Sequence, residues 1–464
     1  MKQQELELIL KEYQTPAYVF DLDALARRAQ RILACLKKAG IDLCYAMKAN
    51  PFLTGALEPL ADRFEVCSPG EFRICEKEGI PMERLVISGV NKERKDISRM
   101  IEQYQGRGIF TVESMQQFRL LSECAREAKV KLNLLVRISS GNQFGVDYEL
   151  AKQMFGERKS YPELTLRGIQ YYSGTQKKKL PALEQELKML DRFCREVQEE
   201  LGAAVSELEY GPGLFVPYFQ SEPEEHLEEL LEELAGLIGR MDFSGKVTLE
   251  MGRFLAAECG SYLTRIVDRK ENGGQIYGIV DGGIHQLNYY GQTMAMKLPF
   301  IQHIPAEKSR AVALDTEDPA QTRRHGKADG ADLSEPVGAQ QEGALTEADL
   351  SEPAGAQQEG ALTEREEKWN ICGSLCTAAD VIVKQYPLTD AKEGDVLVFE
   401  RTGAYSVTEG ISLFLSRDLP KVLFYSQKEG IRLVRDRQET AGINSAARYT
   451  REPNDLPADS GFFR

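Results

Sequence analysis

Eight short apolar runs, each followed by a stretch of helical spacing, fill the first half of this chain, and few architectures accommodate that alternation. The runs cover 41–48, 64–67, 85–88, 109–112, 132–138, 166–172, 207–210 and 247–250. Between them, Leu25, Ala29, Ile32, Leu33 and Leu36 recur at helical intervals, with Asp21 or Asp23 available as N-cap and Gly40 as the stop. Leu183, Leu187, Leu190, Phe193, Val197 and Leu201 repeat the pattern further on. Eight strands alternating with helices over about 230 residues predict an α/β fold, a (β/α)8 TIM barrel. Such barrels carry their chemistry at the carboxyl ends of the strands. Lys48, Ser68, Ser88, Glu113, Arg137, Tyr172, Gly211 and Glu250 all lie at or just past those ends.

Past Gly260 the pattern changes. Segments 262–268 and 275–280 flank a Glu271-Asn272-Gly273-Gly274 turn, and 396–400, 422–425 and 431–434 read as further strands. They predict a C-terminal β-rich domain, to which 18–21 near the N-terminus adds a strand. Residues 331–347 and 348–364 are a tandem copy that differs only at Val337 against Ala354. Rich in Ala, Gly, Glu and Gln, the copies have too little apolar surface for order of their own. The expected partition is 1–24 as a segment joining the β-domain and 25–260 as the barrel. The β-domain then takes 261–304 and 367–440, the repeat-bearing insertion 305–366, and a tail 441–464.

A chain of 464 residues with 42% hydrophobic content is long enough for two or three domains with real cores. Its net charge of −14 disfavours nucleic acid or an acidic membrane as partner. The opening MKQQELELILKEYQ has no apolar run of the kind a secretory leader needs, and no stretch is long and apolar enough to span a bilayer. Nine cysteines without C-x-x-C spacing fit reduced thiols in the cytoplasm.

Lys48 stands out among the strand-end residues. Ile41, Leu43, Tyr45 and Met47 alternate with Asp42, Cys44, Ala46 and Lys48, so if the first set faces helices the lysine points into the barrel. A desolvated amine there is expected to be lowered in pKa and kept neutral, as a covalent-catalysis lysine requires. A lone lysine at a strand end is more often a solvated charge, and its neighbours decide the matter.

Nine segments supply those neighbours: YAMKANP (45–51), EVCSPGE (65–71), QFGVD (143–147), GIQYYSGTQ (168–176), EYGPG (209–213), EMGR (250–253), VDGG (280–283), SLCTAAD (374–380) and GAYS (403–406). In this order they resemble the fold-type III decarboxylases that use pyridoxal 5'-phosphate, the ornithine and diaminopimelate decarboxylase family, whose second domain is of the alanine-racemase C-terminal kind. The resemblance implies a cofactor bound covalently through Lys48, with Glu250 against the pyridine nitrogen so that the ring accepts electrons when carbon dioxide leaves. It implies a phosphate cup from Gly211, Gly213, Gly252, Arg253, Thr175 and the hydroxyl of Tyr405. Tyr172 takes the place of the histidine that relatives stack on the cofactor ring, and Arg137 matches an arginine on the cofactor side of the site. Cys376 matches a cysteine that protonates the substrate carbon from the partner subunit, which implies a homodimer with shared sites.

Three departures from the family stand out, the first in the phosphate cup and the other two bearing on the substrate. Pro212 replaces a glycine of the usual three and donates no N–H. Thr377-Ala378 stands where diaminopimelate decarboxylases have Glu-Ser after the cysteine. Ile284 to Asn288 supplies no arginine where those enzymes hold a distal carboxylate. A site without these counter-charges discriminates poorly for a doubly charged free amino acid. The runs at 172–176, 216–219, 280–285 and 375–377 resemble instead the branch acting on modified or tethered amino acids, which includes the butirosin-pathway decarboxylase of a glutamyl group on an acyl-carrier protein. The expected function is decarboxylation at Cα of an L-amino acid with a modified or carrier-bound side chain. Diaminopimelate or another diamino acid, an amino-acid racemase and an inactive cofactor-binding regulator are the alternatives.

Overall fold

The computed structural model describes residues 1–223, 227–309 and 365–446. The tandem repeat, and the tail beyond 446, lie outside the described residues.

Strand β1 (Ala17–Asp21) precedes a closed barrel of eight parallel strands: β2 (Asp42–Ala46), β3 (Arg63–Val66), β4 (Leu85–Ile87), β5 (Ile109–Val112), β6 (Leu132–Ile138), β7 (Leu164–Tyr172), β8 (Glu207–Gly211) and β9 (Lys246–Met251). Helices cover the outside. The first, Leu22–Lys38, is opened by the Asp21 carboxylate, which accepts the Ala24 N–H at 2.8 Å, and it buries Leu25, Ala29, Ile32, Leu33 and Leu36. Ser68, one of the strand-end residues, caps the helix Pro69–Lys77 by accepting the Glu71 N–H, a structural role.

Alternation sorts the barrel side chains as the sequence predicts. Leu43, Tyr45 and Met47 join the main core under the helices, whereas Cys44 packs inside the barrel with Val86, Ile109 and Leu135. Register then sets height. Cys44 pairs with Glu250, Ala46 with Glu65, and Gln170 with Glu209, so inward polar residues from five strands meet near one level.

The second domain is a nine-stranded sheet built on β10 (Gly260–Asn272), which pairs with β1, with β11 (Gln275–Val280) and with β15 (Val396–Glu400). A two-residue turn at Gly273 and Gly274, both at positive φ, closes the β10–β11 hairpin. β12 (Ile301–Ile304), β13 (Glu366–Cys372) and β14 (Val381–Thr389) were not expected from the sequence, and β16 (Lys421–Ser426) and β17 (Gly430–Arg435) complete the sheet. β1 lies between β10 and β16. The opening segment forms a helix, Gln3–Glu12, whose Leu6, Ile9 and Leu10 pack on Val19, Leu263, Val398 and Leu423 of the sheet.

Candidate active site

Lys48 leaves β2 in a short 3-10 turn, Met47–Ala49, and its amine meets two carboxylates. Nζ donates to Glu65 Oε2 at 2.9 Å and to Glu250 Oε1 at 3.3 Å, while Cys67 Sγ lies 3.9 Å away. Glu65 and Glu250 are almost fully enclosed, with side-chain exposures of 1% and 7%. Burial by itself pushes the Lys48 ammonium down, but the fields of Glu65 and then Glu250 outweigh it and hold the amine well above the ordinary lysine range. The expected neutral amine is therefore corrected: before it meets a carbonyl, Lys48 is an ion-paired ammonium. Its partners respond in opposite directions. Burial pushes both carboxyls up, but Lys48 brings Glu65 below the usual range, while Glu65 helps keep Glu250 above it.

One pocket brings together Lys48, Tyr172, Thr175, Gly213, Glu250, Gly252, Arg253 and Tyr405. Part of its wall is backbone. Gly213 has φ +61°, and a side chain there would run into the carbonyl of Gly174. A Cβ on Gly252 would sit 2.9 Å from that of Ala49. Arg253 is 8% exposed, donates from Nη1 to Tyr218 at 2.9 Å, and leaves its buried Nε without a hydrogen-bond partner. Its guanidinium lies 4.4 Å from the ring centre of Tyr405. Tyr405, at φ +70°, is held by its own N–H on the carbonyl of Ala49 at 2.6 Å. Bare backbone, an unpartnered guanidinium nitrogen and a tyrosine hydroxyl suit a phosphate; an amine and a buried carboxylate suit an aldehyde and a pyridine nitrogen. The residues present fit pyridoxal phosphate.

Comparison with known proteins agrees. The profile for "Pyridoxal-dependent decarboxylase, pyridoxal binding domain" matches residues 22–257, about half of the chain, and that for the "C-terminal sheet domain" of the same enzymes matches 337–403. The chain belongs to the pyridoxal-dependent decarboxylases. It is a carboxy-lyase that uses pyridoxal phosphate. This decarboxylase is 22% identical over 449 residues to the diaminopimelate decarboxylase of Campylobacter jejuni, covering 92% of this chain and 94% of that one. It is 29% identical to the Zymomonas mobilis diaminopimelate decarboxylase over 60% of this chain and 70% of the relative. The L-glutamyl-[BtrI acyl-carrier protein] decarboxylase of Niallia circulans is 23% identical, over 66% and 76%. Among solved structures, diaminopimelate decarboxylase from M. jannaschii superposes with a TM-score of 0.74 at 21% identity, covering 97% and 95%. That likeness concerns the fold.

Three expected residues of the decarboxylase stand apart from the pocket. Gly211 ends β8 behind the ring of Tyr172, and a Cβ there would lie 2.8 Å from it, so this glycine seats the tyrosine. Arg137 turns to Glu113 at 3.4 Å and stacks on Phe144, and it touches the pocket only through its field on Glu65 and Glu250. Cys376 lies exposed on the turn between β13 and β14. Asp380 anchors that turn by accepting the N–H groups of Leu375 at 2.7 Å and Ile284 at 2.8 Å. Sequence reasoning passed over Glu65, Cys67, Gln170, Glu209 and Tyr218. Glu65 and Glu209 carried a readable signal: an acidic residue at an inward position of a buried strand is rare without a partner.

Among the described residues no helix is long and apolar enough to cross a membrane.

Proposed function

We propose that this decarboxylase removes the α-carboxylate of an L-amino acid whose side chain is acylated or held on a carrier protein. The observation that carries the reading is that the residues directly after Cys376 carry no charge. Thr377 and Ala378 follow the cysteine, and Ala378 and Ala379 line an open cavity of about 610 Å³ with Ile284, Leu287 and Asn288, its charged groups being Lys384 and Glu409 from other segments. An arginine or glutamate set to read a distal charge is missing from both stretches, and an acylated side chain has no such charge to read. The likeness to the carrier-bound glutamyl decarboxylase supports the same reading, with an acyl-carrier protein as partner. Diaminopimelate is the second reading, favoured by the number of diaminopimelate decarboxylases among the relatives.

In the proposed site Lys48 holds the cofactor, Glu250 faces the pyridine nitrogen, and Tyr172 covers the ring. Gly213, Gly252, Arg253, Thr175 and Tyr405 hold the phosphate, with Gly211 and Arg137 in support. Bound there, the cofactor supplies the electron sink for the bond to carbon dioxide. Cys376 returns a proton to Cα, and because it stands outside the Lys48 pocket of its own chain we assign it to the site of a second copy, in a homodimer. Exposed apolar side chains on the same flank support this assembly: Met294 and Ile411 line the cavity, and Leu413, Phe414 and Leu415 follow Ile411. Nine free thiols fit a reducing, cytoplasmic setting.

The test is carbon dioxide release from free, N-acylated and carrier-bound amino acids. Faster release from the acylated or carrier-bound forms is expected. Fast turnover of free meso-diaminopimelate would overturn the reading in favour of the second one.

A further inference from the structure

Beneath Lys48 the barrel encloses more acid than it neutralises. Glu65, Glu207, Glu209 and Glu250 point inward, and the cations facing them are Lys48 and Arg63, with Arg167 at the rim on Glu207 and the field of Arg137 reaching Glu65 and Glu250. Glu65 has Lys48, and Glu207 has Arg63 at 3.0 Å. Glu209 is 0% exposed and has only the same Arg63 nitrogen, Nη1, at 3.9 Å, while its Oε2 makes no hydrogen bond.

Gln170 connects Glu209 to the site. Its amide nitrogen donates to Glu209 Oε1 at 3.2 Å and to Glu250 Oε2 at 3.1 Å, with Ser88 Oγ at 3.4 Å. Two carboxyls that share one nitrogen are within about 6 Å of each other, and in a closed interior both cannot ionise freely. Around Glu209, β2 contributes Cys44, β3 Arg63 and Glu65, and β9 Thr248 and Glu250, so Arg63 is the one cation among them and Glu207 already holds it more closely.

We propose that Glu209 is a positioning residue that keeps its proton so that Glu250 does not: neutral Glu209, bridged through Gln170, leaves Glu250 ionised to hold the proton on the pyridine nitrogen. This rests on the assignment of Glu250 to that nitrogen. Burial, then the charge of Glu250, pushes the Glu209 carboxyl up to about 8. Glu250 is itself already above the usual range, so a second charge beside it would draw the proton from the ring nitrogen to the carboxylate. A weaker electron sink would follow.

Two measurements test the inference. In the apoprotein, ¹³C NMR of glutamate-labelled chains should show one carboxyl, lost in Glu209→Gln, that stays protonated at neutral pH and ionises on the alkaline side. In the holoprotein without substrate, the absorbance of bound pyridoxal phosphate should show an alkaline step that Glu209→Gln abolishes. Glu209 titrating with the surface glutamates, or identical absorbance titrations in the two proteins, overturns the inference. Glu250→Gln is the control. If it leaves the cofactor spectrum unchanged, the Glu250 assignment falls and this inference with it; if it alters the spectrum where Glu209→Gln does not, only this inference falls. Should Glu209→Gln fail to fold, the wild-type titration decides, with the carboxyl assigned from its displacement in Gln170→Leu.

Discussion

The mouth of the barrel and the Cys376 turn are both anchored by buried carboxylates, yet they are built to opposite ends. At the mouth, Glu65 and Glu250 take hold of the reactive group itself, so Lys48 is placed and charged before anything binds. At the turn, Asp380 takes hold of the backbone on either side and leaves the Cys376 thiol exposed. The first arrangement is a finished half-site. The second presents a group outward, as suits a residue that completes a site on another copy.

The sharpest way to break this contrast is to remove each reactive group. Lys48→Ala should abolish bound-cofactor absorbance and lower turnover by roughly 10³-fold or more. Cys376→Ala should keep the absorbance and lower turnover by about 10²- to 10⁴-fold, the range of a lost general acid. Mixing the two inactive proteins under subunit exchange should restore about a quarter of wild-type activity, because half the dimers are mixed and each has one intact site. A mixture that stays inactive despite exchange would place Cys376 and Lys48 of one chain in the same site.

Smaller effects separate the two supports. Gly213→Ala forces a side chain onto a backbone at φ +61° and against the carbonyl of Gly174, so cofactor affinity, read by equilibrium dialysis, should fall about tenfold or more while the apoprotein stays folded. Asp380→Ala strands the N–H groups of Leu375 and Ile284, a cost of about 1–3 kcal/mol in urea unfolding. Turnover should drop with it, and cofactor affinity should not.

The two regions also differed in how much the sequence disclosed. The barrel was legible because period-two runs and helical stretches repeat eight times, and because a glycine, lysine or glutamate at a strand end has few roles. The sheet domain was less so. β13 and β14 flank the Cys376 turn, yet β13 mixes Glu366, Glu367 and Lys368 with Trp369 and Ile371, and its partner β11 lies about ninety residues away in the chain. Pairing at that distance leaves no local signal. The charge state of Lys48 was misjudged for a related reason. Burial was inferred from alternation, but the carboxylates that reverse its effect come from β3 and β9, and only their register brings them to the amine.

The smallest expected effect asks whether the two domains respond oppositely to pH. In the folded barrel the Glu209 carboxyl ionises at about 8, against an ordinary glutamate value of 4.5. Between those values the folded state holds a proton that the unfolded chain has released, so stability falls as pH rises through that window. In the sheet domain, burial pushes Asp395 up, but His303 Nε2 at 2.7 Å and the N–H groups of Lys392 and Ala306 bring it below its ordinary value. Its contribution is present above the ordinary aspartate range and is lost as pH falls through the lower folded value. Thermal unfolding of the apoprotein at a series of pH values should therefore show a shallower fall in stability between about 4.5 and 8 in Glu209→Gln, and a shallower fall on the acid side in Asp395→Asn. Parallel profiles for the two variants would mean that the barrel interior is wet enough to ionise Glu209 with the rest, and the electrostatic contrast between the domains would disappear.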